Sequence, residues 1–377
     1  MGTSEASGVR RAAEPSSAPL FWGCIALAVL LHGFLGFGRD GVVGGSDLLP
    51  HLKLMQAVSA NPGLYNTYAP AYHWLGGALA PFLGFELYAK VFGLGAALLL
   101  IAGFRSFQRA AGLPDACTAL FALTPFLLAY SWCTPRVEAA GYGLLLFGLG
   151  FLMRGRIAAL ALAFAACFYV HTASALLFGL AAGGLALARR DARALAALAI
   201  GSLGAVPLLA AHLAAGCTLA EALLFSQGGY SLSLRDPLVP AQWPWLVPLI
   251  NPLALGAAGL GARATWRAHR SVAWLALLLA GLYGCNLWLA PLGIRTLVTL
   301  LRGLSVLAIP VAIAAGVWAA GRPRRMLALL GLSAVYAAVS VPTVVPKACF
   351  VRPIALAEID GVHVERCEFL WRAAKHP

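Results

Sequence analysis

Asp47 and His51 stand four residues apart in the stretch GGSDLLPHLK, residues 44–53, directly after the first long apolar run of the chain. On a helix that spacing puts a carboxylate and an imidazole on one side, where they can pair and exchange a proton. Asp47 has a second use. A carboxylate, or the Ser46 hydroxyl beside it, can cap a helix by accepting backbone N–H bonds that have no other partner. The two uses are compatible, and the residues alone leave both open. Arg302 points to a different chemistry. In TLLRGLSVLAIPVAIAAG it lies about one helical turn into an apolar run. There a guanidinium either reaches outward along its aliphatic stem or holds an anion near the headgroup plane. Arg295, two turns earlier, reaches water more easily, which favours an anion on Arg302.

Other polar residues interrupt the apolar sequence. Arg136 and Glu138 follow SWCTP, as a pair reaching for water or as part of a site. His171 sits in VHT between two apolar runs, and His73 in YAPAYHWLGGALAPFLG. Asp40 is a second acid ahead of Asp47. A charge at the centre of a membrane helix costs about 2.5–3.5 kcal/mol on insertion scales, so polar residues at such depth point to function. There is no P-loop, no HExxH, no Cys-x-x-Cys and no G-x-S-x-G elbow.

The elements that must position these residues follow from composition. Of 377 residues, 61% are hydrophobic and 11% charged, with a mean hydropathy of +0.82. Soluble domains carry about a quarter charged residues, so the expected fold is an all-α polytopic membrane protein. The net charge of +13 is spread over short basic clusters between apolar runs. That is the pattern of topology signals, and it argues against nucleic acid as a partner. Candidate spans are 19–37, 85–104, 114–131, 137–153, 157–170, 172–188, 194–213, 244–261, 271–290, 300–320 and 326–342. The pair 157–170 and 172–188 is read as a hairpin with His171 at its tip.

With the proline- and glycine-interrupted segment 69–84 kept from crossing, every basic cluster from Arg10 to Arg325 falls on one side. The positive-inside rule makes that side cytoplasmic. The expectation is about 11 transmembrane helices, an inner amino terminus and an outer carboxyl terminus. Residues 1–18 are expected to be a disordered cytoplasmic segment and 19–342 the transmembrane domain. Its first outer loop, 38–84, carries juxtamembrane helices, one of them amphipathic with Leu48, Leu52, Met55 and Val58 on one face. Residues 343–377 form an outer tail with a possible β-hairpin at Asp360-Gly361. Cys349 and Cys367 either close a loop there, which requires an oxidising compartment, or remain thiols. The other six cysteines are read as small packing residues.

In this threading Asp40, Asp47, His51, His73, Arg136, Glu138, His171 and Arg302 all reach the outer side. Their order resembles the GT-C class of integral-membrane glycosyltransferases, which includes protein mannosyltransferases and aminoarabinose transferases. Gly45-Ser46-Asp47…His51-Leu52 resembles that class's G-x-D-x-x-x-H-L loop, and Tyr68-Ala69-Pro70-Ala71-Tyr72-His73, with two residues between proline and histidine, its aromatic-x-P…H element. Arg136-Val137-Glu138 resembles an R-x-E element, His171-Thr172 an H-T element, and Arg302 the arginine that opens a late span. The tandem acidic motif of some relatives is absent, which leaves Asp40 and Asp47 both open as the essential acid.

The resemblance implies a polyprenyl-phosphate sugar as donor and a hydroxyl of a glycan, lipid or protein as acceptor. Asp47 would be the general base, and Arg302 with Arg136 would bind the phosphate. His51, His73, Glu138 and His171 would bind or orient substrate. No cofactor is implied: the lipid-linked sugar is a substrate, and no divalent metal is required. The implied location is a bacterial inner membrane, with membrane lipids as further partners. Two other classes fit the same composition: a transporter or flippase for a lipid-linked or amphiphilic substrate, and a non-catalytic subunit for envelope assembly.

Overall fold

Long runs of Ala, Leu and Gly with few charges satisfy their backbone in an apolar surrounding by forming α-helices. The computed structural model describes residues 18–38, 42–44, 48–60, 70–128, 136–214, 245–289, 303–344 and 352–354. Helix α1 (Ala18–Phe37) leads to strand β1 (Val42–Gly44), α2 (Leu48–Ala60), α3 (Pro70–Leu83) and the long α4 (Phe85–Ala110). Then come α5 (Asp115–Ala122), α6 (Arg136–Met153), α7 (Ile157–Val170), α8 (Thr172–Arg189), α9 (Ala192–Ser202) and α10 (Ala205–Ala214). The remainder is α11 (Leu246–Ile250), α12 (Pro252–Ala268), α13 (Arg270–Leu289), α14 (Leu304–Ala319), α15 (Pro323–Thr343) and strand β2 (Arg352–Ile354).

Five helical segments among the described residues are long and apolar enough to cross a membrane: Ala18–Phe37, Phe85–Ala110, Thr172–Arg189, Ala192–Ala211 and Pro323–Thr343. Four shorter apolar helices accompany them: Val137–Met153, Ile157–Val170, Arg270–Cys285 and Leu304–Ala319. The chain is therefore a helical integral membrane protein. Its helices pack through small residues, as helices do where lipid is as apolar as leucine. Parallel helices α4 and α6 touch backbone to backbone. A Cβ on Gly103 would fall 2.5 Å from the Gly143 carbonyl oxygen, and one on Gly150 would press on Ser106 and Phe107. Phe104 and Phe121 stack at 4.1 Å between α4 and α5.

The bundle has two chemically different ends. At one, Arg105 pairs with Asp115 at 2.5 Å and lies 4.3 Å over the Phe21 ring near the start of α1. Arg154, just past α6, donates to the Ser106 hydroxyl and carbonyl at 2.9 Å each. At the other end, α2 and α3 pack on each other and on the start of α4. There β1 pairs antiparallel with β2, in the register Val42↔Ile354, Val43↔Pro353 and Gly44↔Arg352. Residues from the two halves of the chain thus meet beside the first loop, with α15 packed along α1.

Pro353 decides the bonding pattern of this ribbon. Proline has no N–H, so Val43↔Pro353 must be the non-hydrogen-bonded pair, where Cα atoms come within about 4.5 Å. That spacing suits a disulfide. The double variant Val43→Cys/Pro353→Cys is expected to form the 43–353 link on mild oxidation, seen as one linked peptide by mass spectrometry. Failure to link would contradict the register.

Several expectations are corrected. The span 114–131 is interrupted at Leu123–Thr124, because Pro125 has no N–H for the Phe121 carbonyl. The span 194–213 is present as the apolar segment Ala192–Ala211, with a turn at Leu203–Gly204 where Pro207 cannot bond back to Leu203. The span 244–261 is replaced by the short α11 and by α12. Asn251, at φ 75°, turns the chain between them, and its Oδ1 accepts the N–H groups of Leu253 and Ala254. Its Nδ2 donates to Ser333 Oγ on α15 at 3.0 Å. The hairpin 157–170/172–188 is present as α7 and α8. Cys24, Cys117 and Cys167 are buried as expected, whereas Cys285 is exposed. The proposed hairpin turn at Asp360-Gly361, Cys349 and Cys367 lie outside the described residues.

Candidate functional site

Buried polar side chains gather at the end opposite the arginines. The amphipathic helix expected after Asp47 is α2, and Met55 and Val58 of its expected face are buried. His51, Leu54, Met55 and Val58 are buried, so the imidazole belongs to the packed side. The reason is its partner. His51 Nδ1 lies 2.7 Å from His73 Nε2 on α3, and both residues are fully buried. One ring donates its N–H to the lone pair of the other, so a doubly protonated pair would set two N–H groups against each other.

Helix α3 is not among the apolar helices of membrane-crossing composition. At 14 residues and about 1.5 Å per residue it is shorter than a hydrocarbon core of about 30 Å. It lies flat enough against α2 that a Cβ on Gly76 would enter Met55 and Tyr88, and one on Gly77 would meet Val58 and Ser59. Burial pushes the His73 imidazole down to about 3 from its usual 6.5, so it is neutral at physiological pH. Its Nδ1 is buried and has no hydrogen-bond partner among the described residues. An aromatic wall backs the pair: Tyr72 stands edge-on to His51 and packs on Phe92 at 4.5 Å. The Tyr88 hydroxyl donates to the Tyr72 carbonyl at 2.8 Å.

A second contact joins α6 to the α7–α8 corner. His171, in extended backbone, caps α8, and its Nδ1 accepts the Ser174 backbone N–H at 3.1 Å. The same nitrogen lies 2.7 Å from Ser174 Oγ, and Nε2 faces Glu138 Oε1 at 3.4 Å. A Cβ on Gly141 would strike Ser174, so the glycine lets α6 approach the cap.

No family model, curated protein or solved structure matches the chain. The site therefore rests on its own geometry. His51 meets His73, and Glu138 meets His171. Arg136 opens α6, two residues before Glu138. Asp40, Asp47 and Arg302 lie outside the described residues, as do Lys53 and Arg136 beyond their backbone. No group of three or more His, Cys, Asp or Glu able to hold a metal occurs among the described residues.

Sequence reasoning passed over several participants. Lys90 is buried in the first half of α4 and pairs with Glu86 one turn earlier at 2.6 Å. Two opposite charges four apart in FELYAKVFGLG were a visible signal. Tyr72 and Tyr88 gave none beyond aromatic character. Ser174 and Gly141 could be assigned only once α6 and α8 were in place.

Proposed function

We propose that this chain is an integral-membrane glycosyltransferase of GT-C type. It moves a sugar from a polyprenyl-phosphate donor to an acceptor hydroxyl on the outer face of a bacterial inner membrane. One observation carries the reading. The four short elements that resemble GT-C motifs are far apart in sequence, yet their histidines and acid meet in pairs, His51 with His73 and His171 with Glu138. A threading of about eleven crossings accompanies it, with the amino terminus inside. The separation of arginines from buried imidazoles and carboxylate supports that threading, and so does the pairing of the first loop with the tail.

In the reaction the acceptor oxygen attacks the anomeric carbon while the bond from that carbon to the donor phosphate oxygen breaks. The acceptor proton passes to the Asp47 carboxylate, and polyprenyl phosphate leaves. The transition state has oxocarbenium character, so a carboxylate nearby also stabilises it electrostatically. Arg302, with Arg136, receives the phosphate through a fork of donors that stays charged near lipid. His73 offers its buried Nδ1 to a sugar hydroxyl, with His51 fixing the ring. Glu138 and His171 hold α6 against the α7–α8 corner and line the acceptor side. The reading requires no metal, because the leaving group is a monophosphate met by arginine.

The test is sugar release from a polyprenyl-phosphate donor by the purified protein. Asp47→Asn is expected to lose roughly 10³-fold in turnover, within the range for removing a general base, with an unchanged elution profile. Asp40→Asn is expected to retain most activity. Transfer that survives both substitutions overturns the acid assignment. Movement of the donor across vesicles without bond cleavage would identify a flippase instead.

A further inference from the structure

We infer that the arginine end of the bundle contains a binding site for the headgroup of an acidic phospholipid, built by two adjacent helix corners. The corner between α12 and α13 carries Arg263, Arg267 and Arg270, all exposed, and the corner between α14 and α15 carries Arg322, Arg324 and Arg325. The two corners are neighbours because α12 and α14 pack backbone to backbone. A Cβ on Gly261 would collide with the Ala314 carbonyl oxygen and with Trp318. Glycine at 261 permits that approach, and both helices then end beside each other in arginines.

This corner differs from the others at the same end. Arg105 is neutralised by Asp115, and Arg154 is bonded to Ser106. The Asp191 carboxylate is engaged as the cap of α9, accepting the Ala194 N–H. In contrast, the described residues from 192 to 344 contain no Asp or Glu, so none of the six arginines has a carboxylate partner among them. His269 adds no competing charge, because burial lowers its proton affinity.

Tryptophans frame the cations. Trp266 and Trp274 stand edge to face at 5.2 Å, Arg270 lies 6.0 Å over Trp266, and Arg325 lies 5.0 Å over Trp318. Indole rings favour the headgroup level of a bilayer, and a ring beneath a guanidinium fixes its plane while leaving its outer N–H groups to a ligand. The lipid assignment comes from the flank. Leu260, Leu277 and Leu327 are exposed next to these arginines, so phosphate-binding donors and acyl-chain surface are contiguous. A free phosphate would use only the donors, whereas an amphiphile uses both. The clustering of basic residues beside membrane helices is the pattern expected for an anionic headgroup.

The test is native mass spectrometry of the detergent-purified full chain with phosphatidylglycerol, cardiolipin and phosphatidylcholine. An acidic lipid is expected to be retained roughly tenfold over phosphatidylcholine. The preference should be lost in Arg263→Gln/Arg267→Gln/Arg270→Gln and in Arg322→Gln/Arg324→Gln/Arg325→Gln. The corresponding lysine triples preserve charge and are expected to keep most of it, which separates loss of binding from loss of folding. Equal retention of acidic lipid and phosphatidylcholine by the wild-type protein overturns the site. A preference that survives with all six arginines replaced by glutamine also overturns it, and displacement of the lipid by millimolar inorganic phosphate overturns the lipid assignment.

Discussion

Glu138→Ala is expected to destabilise the protein by about 1–3 kcal/mol, because it takes the carboxylate from a buried imidazole, and, if the proposed function holds, to abolish turnover. Both residues are almost wholly buried, so water cannot take the place of the missing group. The neighbouring substitution His171→Asn separates two roles. Asparagine is a good helix cap, so it should still accept the Ser174 N–H while offering a weaker contact to Glu138. Its expected loss of stability is about 1 kcal/mol, smaller than for His171→Ala, which removes cap and contact together. Thermal unfolding in detergent reads the stabilities and the sugar-release assay reads turnover. If all three variants unfold like the wild type, the contact holds nothing together.

The second large effect is at the His51–His73 pair. His73→Ala removes a hydrogen bond and empties a packed position, for an expected loss of about 2–4 kcal/mol. It should also remove a pH dependence. Folding lowers the proton affinity of His73 from 6.5 to about 3, so between those values the unfolded chain binds more protons than the folded one. Stability contributed by the neutral ring is complete above about 6.5 and is lost progressively as pH falls toward about 3. The unfolding midpoint of the wild type is expected to drop across that window, and that of His73→Ala to drop less. An equal pH slope in both would place the acid sensitivity elsewhere. The same variant should raise KM for the sugar donor more than it lowers kcat if Nδ1 meets a ground-state hydroxyl.

Much of the helical framework could be read from local pattern. The α7–α8 hairpin with His171 between its helices followed from a run too long for one helix, and the span 137–153 is present within α6. Where local pattern misled, a proline was present. Pro125 and Pro252 each stand at a break or restart that a hydropathy window averages over, because the missing N–H is invisible to hydrophobicity. The burial of His51 beside Met55 and Val58 on α2 had no local signal. A histidine is usually kept to the polar side, but an imidazole with a buried imidazole partner can join the packed side, and that partner is 22 residues away.

The sequence by itself determined that the chain lives in a membrane as helices and that most of its arginines fall in short clusters between the apolar runs. Those properties depend on composition and on spacing within a few turns. The tertiary structure alone decided which polar groups meet: His51 with His73, Glu138 with His171, Asn251 with Ser333, and Val42–Gly44 with Arg352–Ile354. Each of those contacts joins residues on different elements. Helix periodicity carries no information across such gaps, and only the close packing of small residues such as Gly103, Gly141 and Gly261 brings the partners within reach.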